Sequence, residues 1–178
     1  MRNVTFDAKL NANDMYEFNM YHAYTSSQGW MSFIFAALAF IATYITWGSV
    51  PMGYSVAYIV IGFLFLFYMP VILKLRSKAQ VSGVLQGSLH YSLEDKGVVV
   101  SVPGTEVLVT EPDPEGEQEA VLPWNLIYKV VTTKNELLIF SNRVNAYVIP
   151  KRDLEAVYPE VKAIMEEKLP SHRRKLKW

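Results

Sequence analysis

The chain has 178 residues, 51% of them hydrophobic, and its 17 basic residues balance its 17 acidic residues. A balanced charge provides no overall field to attract nucleic acid, so we expect no nucleic-acid partner. Because the sequence has no cysteine, disulfides, thiolate catalysis, iron–sulfur clusters and cysteine-based zinc sites are excluded.

Residues 1–29 are predicted to form a short strand and a helix. Val4, Thr5 and Phe6 alternate in polarity, as strand residues do. Asn13 or Asp14 is a suitable N-cap for the helix. The helix is rich in Met, Tyr and Phe, which suits either the lipid headgroups or packing on a soluble domain. We favour packing on the soluble domain because the helix has no Lys or Arg.

Two apolar runs, residues 30–47 and 54–73, form the next part of the chain. Each is close to the ~20 residues with which a helix spans a bilayer. Trp30 and Trp47 would lie about 25 Å apart on a helix, as interfacial aromatic belts do. Gly and Pro residues between the runs indicate a turn. The sequence therefore predicts a transmembrane helical hairpin over residues 30–73.

Small residues recur at helical spacing on both predicted helices. They are Ser32, Ala36, Ala39 and Thr43 on the first, and Ser55 and Gly62, with Ile59 between them, on the second. Small side chains let helices approach closely in lipid, so we expect these faces to pack together. A buried hairpin in a soluble all-α domain is the less favoured alternative, because it would need polar faces.

A basic connector, residues 74–87, follows the second run. It begins with Lys74, Arg76 and Lys78, whereas the turn between the runs has no basic residue. The positive-inside rule therefore predicts two spans with both termini in the cytoplasm.

From Ser88 onward the hydrophobic period changes to two, which indicates strands. Seven are predicted, over residues 88–94, 98–102, 106–110, 119–122, 127–133, 136–141 and 145–149. We expect tight turns at residues 94–97 and 133–136, a turn at 103–104, and a polar loop over 111–118.

An amphipathic helix follows the strands, with Asp153 as a cap, Pro159 in its first turn and Pro170 after its end. Residues 88–170 are thus predicted to form one independently folding domain, and residues 171–178 a mobile basic tail. The fold class is an α+β membrane protein.

Seven antiparallel strands closed by a C-terminal helix resemble the pleckstrin-homology-like fold. Two motifs are more specific: LPWNLIYKV at residues 122–130 and AYVIPKR at 146–152. With the early helix and the two apolar runs, they resemble the YcxB-like family of small bacterial membrane proteins. The resemblance implies a location in the bacterial cell membrane and no established biochemical activity.

Core packing is the favoured role for Trp124, Tyr147 and Ile149, and Pro150 is expected to end the last strand at the sheet edge. The Trp124 ring should be buried with its N–H on a carbonyl. Lys151 and Arg152 lack such an explanation. They either meet phosphate headgroups or partners, or are ordinary solvated charges, and we favour solvated charges.

No catalytic constellation is present in the sequence. His22, His90 and His172 lie in three different predicted elements, and no glycine-rich phosphate loop joins a strand to a helix. The acidic run at residues 111–119 suits a solvated loop better than a calcium site. We therefore predict no enzyme activity and no cofactor.

Basic side chains on both sides of the domain suit an anionic leaflet. They are Lys74, Arg76, Lys78, Arg173, Arg174, Lys175 and Lys177. Near such a leaflet each is worth about 1 kcal/mol. In one hypothesis, the tail faces the bilayer and the acidic loop at residues 111–119 faces the cytosol. That loop would then be the surface that meets a partner. A freely tumbling domain with an idle tail is an equal alternative.

Two functions remain, from different classes. The first is a membrane-tethered, non-enzymatic interaction module whose β-domain binds a protein partner or itself. The second is an accessory subunit of a membrane enzyme or transporter whose active parts lie on another chain. Phosphoinositide binding at the first hairpin turn is disfavoured because residues 94–97 carry net negative charge.

Overall fold

A computed structural model describes residues 3–83, 87–101 and 119–178. Its helices are α1 (Ala12–Thr25), α2 (Ser27–Thr46), α3 (Met52–Gly83), α4 (Lys151–Leu154) and α5 (Tyr158–Lys168). Its strands are β1 (Val4–Lys9), β2 (Ser88–Glu94), β3 (Gly97–Ser101), β4 (Glu119–Pro123), β5 (Lys129–Thr132), β6 (Glu136–Phe140), β7 (Ala146–Pro150) and β8 (Arg174–Lys175).

The chain forms two compact units. The helical unit is Met15–Gln80, and the β unit contains the described residues up to Asp14 and from Val81 onward. The β unit is therefore discontinuous in sequence, and the helical unit is inserted into it.

Two helices of the helical unit are long and apolar enough to cross a membrane, over Gly29–Thr46 and Met52–Ser82. The predicted runs are thus helical. α3 continues to Gly83, so the predicted connector begins as a continuation of the second helix rather than as a loop.

Most of the predicted small-residue faces of α2 and α3 is buried, whereas Ser32 and Ile59 are half-buried. Ala36, Ala39 and Thr43 on α2 are at most 9% exposed, and Ser55 on α3 is 5% exposed. A Cβ added at Gly62 would lie 2.8 Å from the Phe40 ring, so glycine is what permits this close contact. The large apolar side chains on the outer faces of the same helices remain exposed.

From Met15 onward, α1 belongs to the helical unit rather than to the β unit on which it was expected to pack. The Asn19 side-chain amide donates to Ser77 Oγ at 2.9 Å and to Gln80 Oε1 at 3.0 Å. These bonds hold α1 against the part of α3 that lies beyond the predicted span.

The β unit contains two four-stranded sheets, ordered β1-β2-β3-β4 and β7-β6-β5-β8. All neighbours are antiparallel except β5 and β8, which are parallel. β1 pairs with β2 along its whole length, from Val4 opposite Leu93 to Lys9 opposite Ser88. The N-terminal strand therefore completes a sheet that the predicted domain bounds, 88–170, leave incomplete.

The predicted turn at residues 94–97 joins β2 to β3. Gly97 has a φ of +153°, and a Cβ there would lie 2.2 Å from the Leu122 carbonyl oxygen, so this position requires glycine. β5 starts at Lys129, later than predicted, because Trp124–Leu126 forms a 3-10 turn. The predicted strand 106–110, the turn at 103–104 and the loop 111–118 lie outside the described residues.

One core joins both sheets to α4 and α5. β1 contributes Val4, Phe6 and Ala8, and α5 contributes Val161, Ile164 and Met165. The amphipathic closing helix thus buries its apolar face, as the sequence predicts.

Candidate functional site

The site is built at the junction of β7 and α4, where the second motif ends. Pro150 has an extended conformation and is the last residue of β7, and Lys151 begins α4. The Lys151 N–H donates to the Asn135 carbonyl at 2.7 Å, which fixes the junction against the turn before β6. Lys151 and Arg152 therefore lie at the corner where β7 of the second sheet meets α4.

Arg152 contacts the N-terminal segment. Its two terminal nitrogens donate to the two carboxylate oxygens of Asp14 at 2.8 and 2.7 Å, and one also donates to the Lys9 carbonyl at 2.7 Å. Hydrogen bonding to the Asp14 carboxylate raises the pKa of the Arg152 guanidinium above its ordinary value. The expectation that Arg152 is an ordinary solvated charge is wrong.

Asp14 also helps to begin α1. Asn11 Oδ1 accepts from the N–H groups of Asn13 and Asp14 at 2.8 and 3.0 Å, and Asp14 Oδ2 accepts from the Asn11 N–H at 2.8 Å. This reciprocal pattern is a capping box with Asn11 as the N-cap, not Asn13 or Asp14 as predicted. The Asp14 carboxylate therefore both orders the helix start and receives Arg152.

Asp153 fastens the end of β1. Its carboxylate accepts from the Lys9 N–H at 2.9 Å and does not cap α4, where no side-chain cap bond is formed. Together with Arg152, it binds both backbone groups of Lys9. The β7–α4 corner is thus a clamp on the N-terminal segment.

The other side of the corner holds the C-terminal residues. The Lys151 ammonium lies 4.9 Å from the centre of the Trp178 ring, which packs 4.5 Å from the Tyr158 ring. The Trp178 indole N–H donates to the Thr133 carbonyl at 2.6 Å. Lys151 is therefore engaged in a cation–π contact.

Residues 171–178, here called the tail, add β8 to the edge of the second sheet. Arg174 and Lys175 pair with Val130 and Val131. Thr132 Oγ1 accepts from the Lys177 N–H at 2.8 Å and donates to the Lys175 carbonyl at 3.2 Å. We call the surface that receives these residues the tail groove; it comprises β5, Thr133, Lys151 and Tyr158. The prediction of a mobile tail is wrong.

Two of the four basic tail residues bind backbone carbonyls. Arg173 donates to the Asn125 and Ile127 carbonyls at 3.1 and 3.2 Å. Arg174 donates to the Leu169 carbonyl at 3.0 Å and to the Glu166 carbonyl. Lys175 and Lys177 have exposed side chains.

Lys74, Arg76 and Lys78 lie on α3, and all three side chains are exposed. Ser77 is fully buried among them because it faces Asn19 of α1. These three predicted membrane-surface residues belong to the helical unit, whereas the tail belongs to the β unit.

The motif residues expected in the core are buried or partly buried. The Trp124 side chain is 9% exposed and its indole N–H donates to the Glu94 carbonyl at 2.8 Å. Ile149 is fully buried, and Tyr147 meets Tyr91 edge-on at 6.4 Å. Burial, and secondarily the neighbouring Tyr147, raises the pKa of the Tyr91 hydroxyl.

Within the described ranges, no three His, Cys, Asp or Glu residues are placed to hold a metal ion. His90 and Asp7 form a solvent-accessible pair, in which Nδ1 of His90 lies 2.7 Å from Oδ1 of Asp7 across β1 and β2. The sequence did not suggest this pair because the two residues are distant along the chain. The chemistry of the site is therefore that of a clamp, which can hold peptide segments through backbone bonds, an ion pair and an aromatic contact.

Asp14, Thr132, Tyr158 and Trp178 were missed as site residues. For Trp178 a signal was available in the sequence: it is a large aromatic residue in a basic segment, and such residues are usually at least partly buried. The Asp14–Arg152 pair had no local signal.

A family model described as "YcxB-like protein" matches residues 114–165. That segment contains both motifs, the β7–α4 corner and most of α5, and the resemblance predicted from the sequence is confirmed there. The comparisons with curated proteins and with solved structures gave no match.

Proposed function

Because residues 114–165 match the YcxB-like family, we propose that this chain is a two-span protein of the bacterial cell membrane and that its β unit is a non-enzymatic interaction module. In this proposal the β unit binds a protein partner or a second copy of itself. The helical unit tethers it to the bilayer.

The exposed apolar surface of the helical unit carries the proposal. Ile45, Met52 and Leu64 are 71%, 77% and 61% exposed, and only 17% and 11% of the two candidate spans is buried. Soluble proteins rarely expose apolar patches of this extent, whereas lipid would cover them. The same exposure argues against a core hairpin of a soluble domain.

The pairing of β1 with β2 supports an even number of crossings. These strands flank the helical unit in sequence, and residues that share a sheet lie on the same side of a membrane. Two spans satisfy this requirement, and one span does not. The exposed Lys74, Arg76 and Lys78 follow the apolar run 54–73 on α3, and they support the cytoplasmic side.

The two four-stranded sheets and the helix α5 also support a pleckstrin-homology-like β unit. Lipid recognition at the turn between β2 and β3 has little support, because Lys96 there is paired with Glu94 and Lys168 is bound by Asp95. Lys74, Arg76 and Lys78, with their exposed ammonium and guanidinium groups, are the better candidates for anionic headgroups.

Affinity purification of the full chain from detergent, followed by mass spectrometry, tests the interaction module. We expect a protein partner or a second copy to be retained. The matched variants are Trp124→Ala, which removes a buried ring of the β unit, and Leu126→Ala, at a 60% exposed position of the same turn. Trp124→Ala should lose the bound protein and Leu126→Ala should keep it.

A monomeric chain with no bound protein would overturn the proposal. A stoichiometric enzyme or transporter among the retained proteins would favour the alternative, an accessory subunit whose active parts lie on another chain.

A further inference from the structure

The tail fills a site whose features are those of a peptide groove. The edge of β5 supplies backbone partners to Arg174 and Lys175, and Thr132 Oγ1 bonds the backbone on both sides of Leu176. A strand added to a sheet edge is a recurrent mode of peptide recognition, in which main-chain bonds provide affinity and side-chain pockets provide specificity.

The contacts around the Trp178 ring give this groove its specificity. The ring packs between Tyr158 and the Lys151 ammonium, and its N–H is satisfied by the Thr133 carbonyl. The groove therefore fits an extended segment that carries an aromatic ring with an N–H donor.

The pairing that holds the tail is short. β8 has two residues and is parallel to β5, and parallel pairs are slightly less stable per residue than antiparallel pairs. The connection to α5 passes through Leu169 and Pro170, which both have extended backbones, with φ/ψ of −113°/137° and −66°/152°. Rotation at these two residues would move residues 171–178 together as one segment.

We propose that the tail groove also accepts the tail of a second copy, so that two chains in one membrane exchange residues 171–178. This inference rests on the proposed function and names the surface and the partner for self-association. A second copy offers the same backbone bonds and the same indole ring, so exchange loses none of the contacts described above. Swapping an identical element is a low-cost route to a dimer, and tethering in one bilayer raises the effective concentration of tails.

The lack of native cysteine allows a direct test by disulfide formation. Val131 and Lys175 are register partners on neighbouring strands, about 4.8 Å apart at their backbones, a spacing that a disulfide can bridge. Val131→Cys and Lys175→Cys are placed on two full-length chains with different affinity tags, and the chains are co-expressed and oxidised in their membranes. We expect covalent dimers that carry both tags.

Two control pairs make the result decisive. Arg143 is exposed between β6 and β7. Arg143→Cys on one chain, combined with Lys175→Cys on the other, measures how much mixed dimer forms by random collision. The double variant Val131→Cys and Lys175→Cys on one chain measures whether the groove holds the tail at all. We expect the exchange pair to form several-fold more mixed dimer than the collision pair.

Mixed dimer at the level of the collision pair would overturn the exchange. Failure of the double variant to form any disulfide would overturn it too, because the groove would then not hold the tail. Affinity purification of the unmodified chain is independent of this result. A retained partner without mixed disulfide would reject tail exchange and leave the interaction module standing.

Discussion

Lys151 and Arg152 are neighbours in sequence, but their side chains contact opposite ends of the chain. Lys151 lies over the Trp178 ring of the tail, and Arg152 binds Asp14 in the first turn of α1. Both contacts are made from one corner, where β7 ends at Pro150 and α4 begins at Lys151. The two charges that the sequence left without a structural role therefore join the terminal segments to the second sheet.

Arg152→Gln should loosen the N-terminal segment. Asp14 is 7% exposed, and removal of Arg152 leaves its carboxylate without its bidentate partner. Because Arg152 itself is half exposed, we expect a loss of about 1–3 kcal/mol. Hydrogen exchange should rise in β1 and the first turn of α1. Arg143→Gln, at an exposed position, is the matched control, and equal exchange in both variants would contradict the clamp.

Trp124→Ala should destabilise the β unit by about 3–5 kcal/mol, because the buried ring leaves a cavity and Glu94 loses its indole donor. Urea titration of the full chain, read by pulse proteolysis, measures the change. Leu126→Ala, in the same 3-10 turn but 60% exposed, should be close to neutral. A near-neutral Trp124→Ala would instead make Trp124 a surface contact residue.

The ion pair between Asp95 and Lys168 should make the closing helix sensitive to acid. Lys168 donates to Asp95 at 2.9 Å, and this hydrogen bond lowers the pKa of Asp95 and raises that of Lys168. The Asp95 contribution is present above the ordinary carboxyl pKa and is lost as the pH falls through the lowered value. The Lys168 contribution is lost only as the pH rises through its raised pKa.

Hydrogen exchange of α5 against pH tests this pair. Asp95→Asn should reduce the rise in α5 hydrogen exchange that acid causes. Glu155→Gln, a control at an exposed position, should leave that rise unchanged. High salt should reduce the difference, because exposed pairs are screened. An identical acid dependence of both variants would exclude the pair as the cause.

Among the secondary-structure elements, β1 has the largest effect on how the chain is divided. Lys9 pairs with Ser88, so the last residue of β1 and the first residue of β2 are neighbours in the sheet, and the helical unit lies between them in sequence. The unit is thus inserted at the position where a short turn would otherwise join β1 to β2. Without β1, the edge of β2 would be open, and Tyr91 would lose the ring of Phe6, which stacks on it at 5.3 Å.

This insertion predicts the boundary of a soluble β unit. A chain in which residues 15–86 are replaced by a flexible linker of about ten Gly and Ser residues should melt cooperatively, since β1 and Asp14 are kept. A chain that starts at Ser88 should be less stable and prone to associate through the free edge of β2. Circular dichroism melts and sedimentation compare the two. Equal stability would show that β1 is dispensable.

At the scale of the whole molecule, residues on either side of the two candidate spans share a sheet. In the proposed membrane placement, the N-terminal strand and the later strands must therefore lie on one side of the bilayer. In the same proposal, the basic residues that follow the apolar run 54–73 favour the cytoplasm as that side.

Cysteine accessibility in intact cells should show this topology. Thr5→Cys, Ser49→Cys and Lys177→Cys are all at exposed positions, and the chain has no other cysteine. An impermeant maleimide should label only Ser49→Cys, in the turn between α2 and α3. Labelling of Thr5→Cys or Lys177→Cys before lysis would refute the cytoplasmic placement.

Local patterns in the sequence determined the apolar helices with their small-residue faces, most strands, the closing helix and the family segment. These features depend on hydrophobic period and turn residues, which neighbouring positions carry together. The tertiary structure alone decided that β1 lies beside β2, that Asn11 rather than Asn13 or Asp14 caps α1, that Arg152 binds Asp14, and that the tail adds β8 to the second sheet. The sheet and ion-pair contacts join residues far apart in sequence. They form because open sheet edges and a buried carboxylate need partners, and the partner depends on which segments the fold brings within reach.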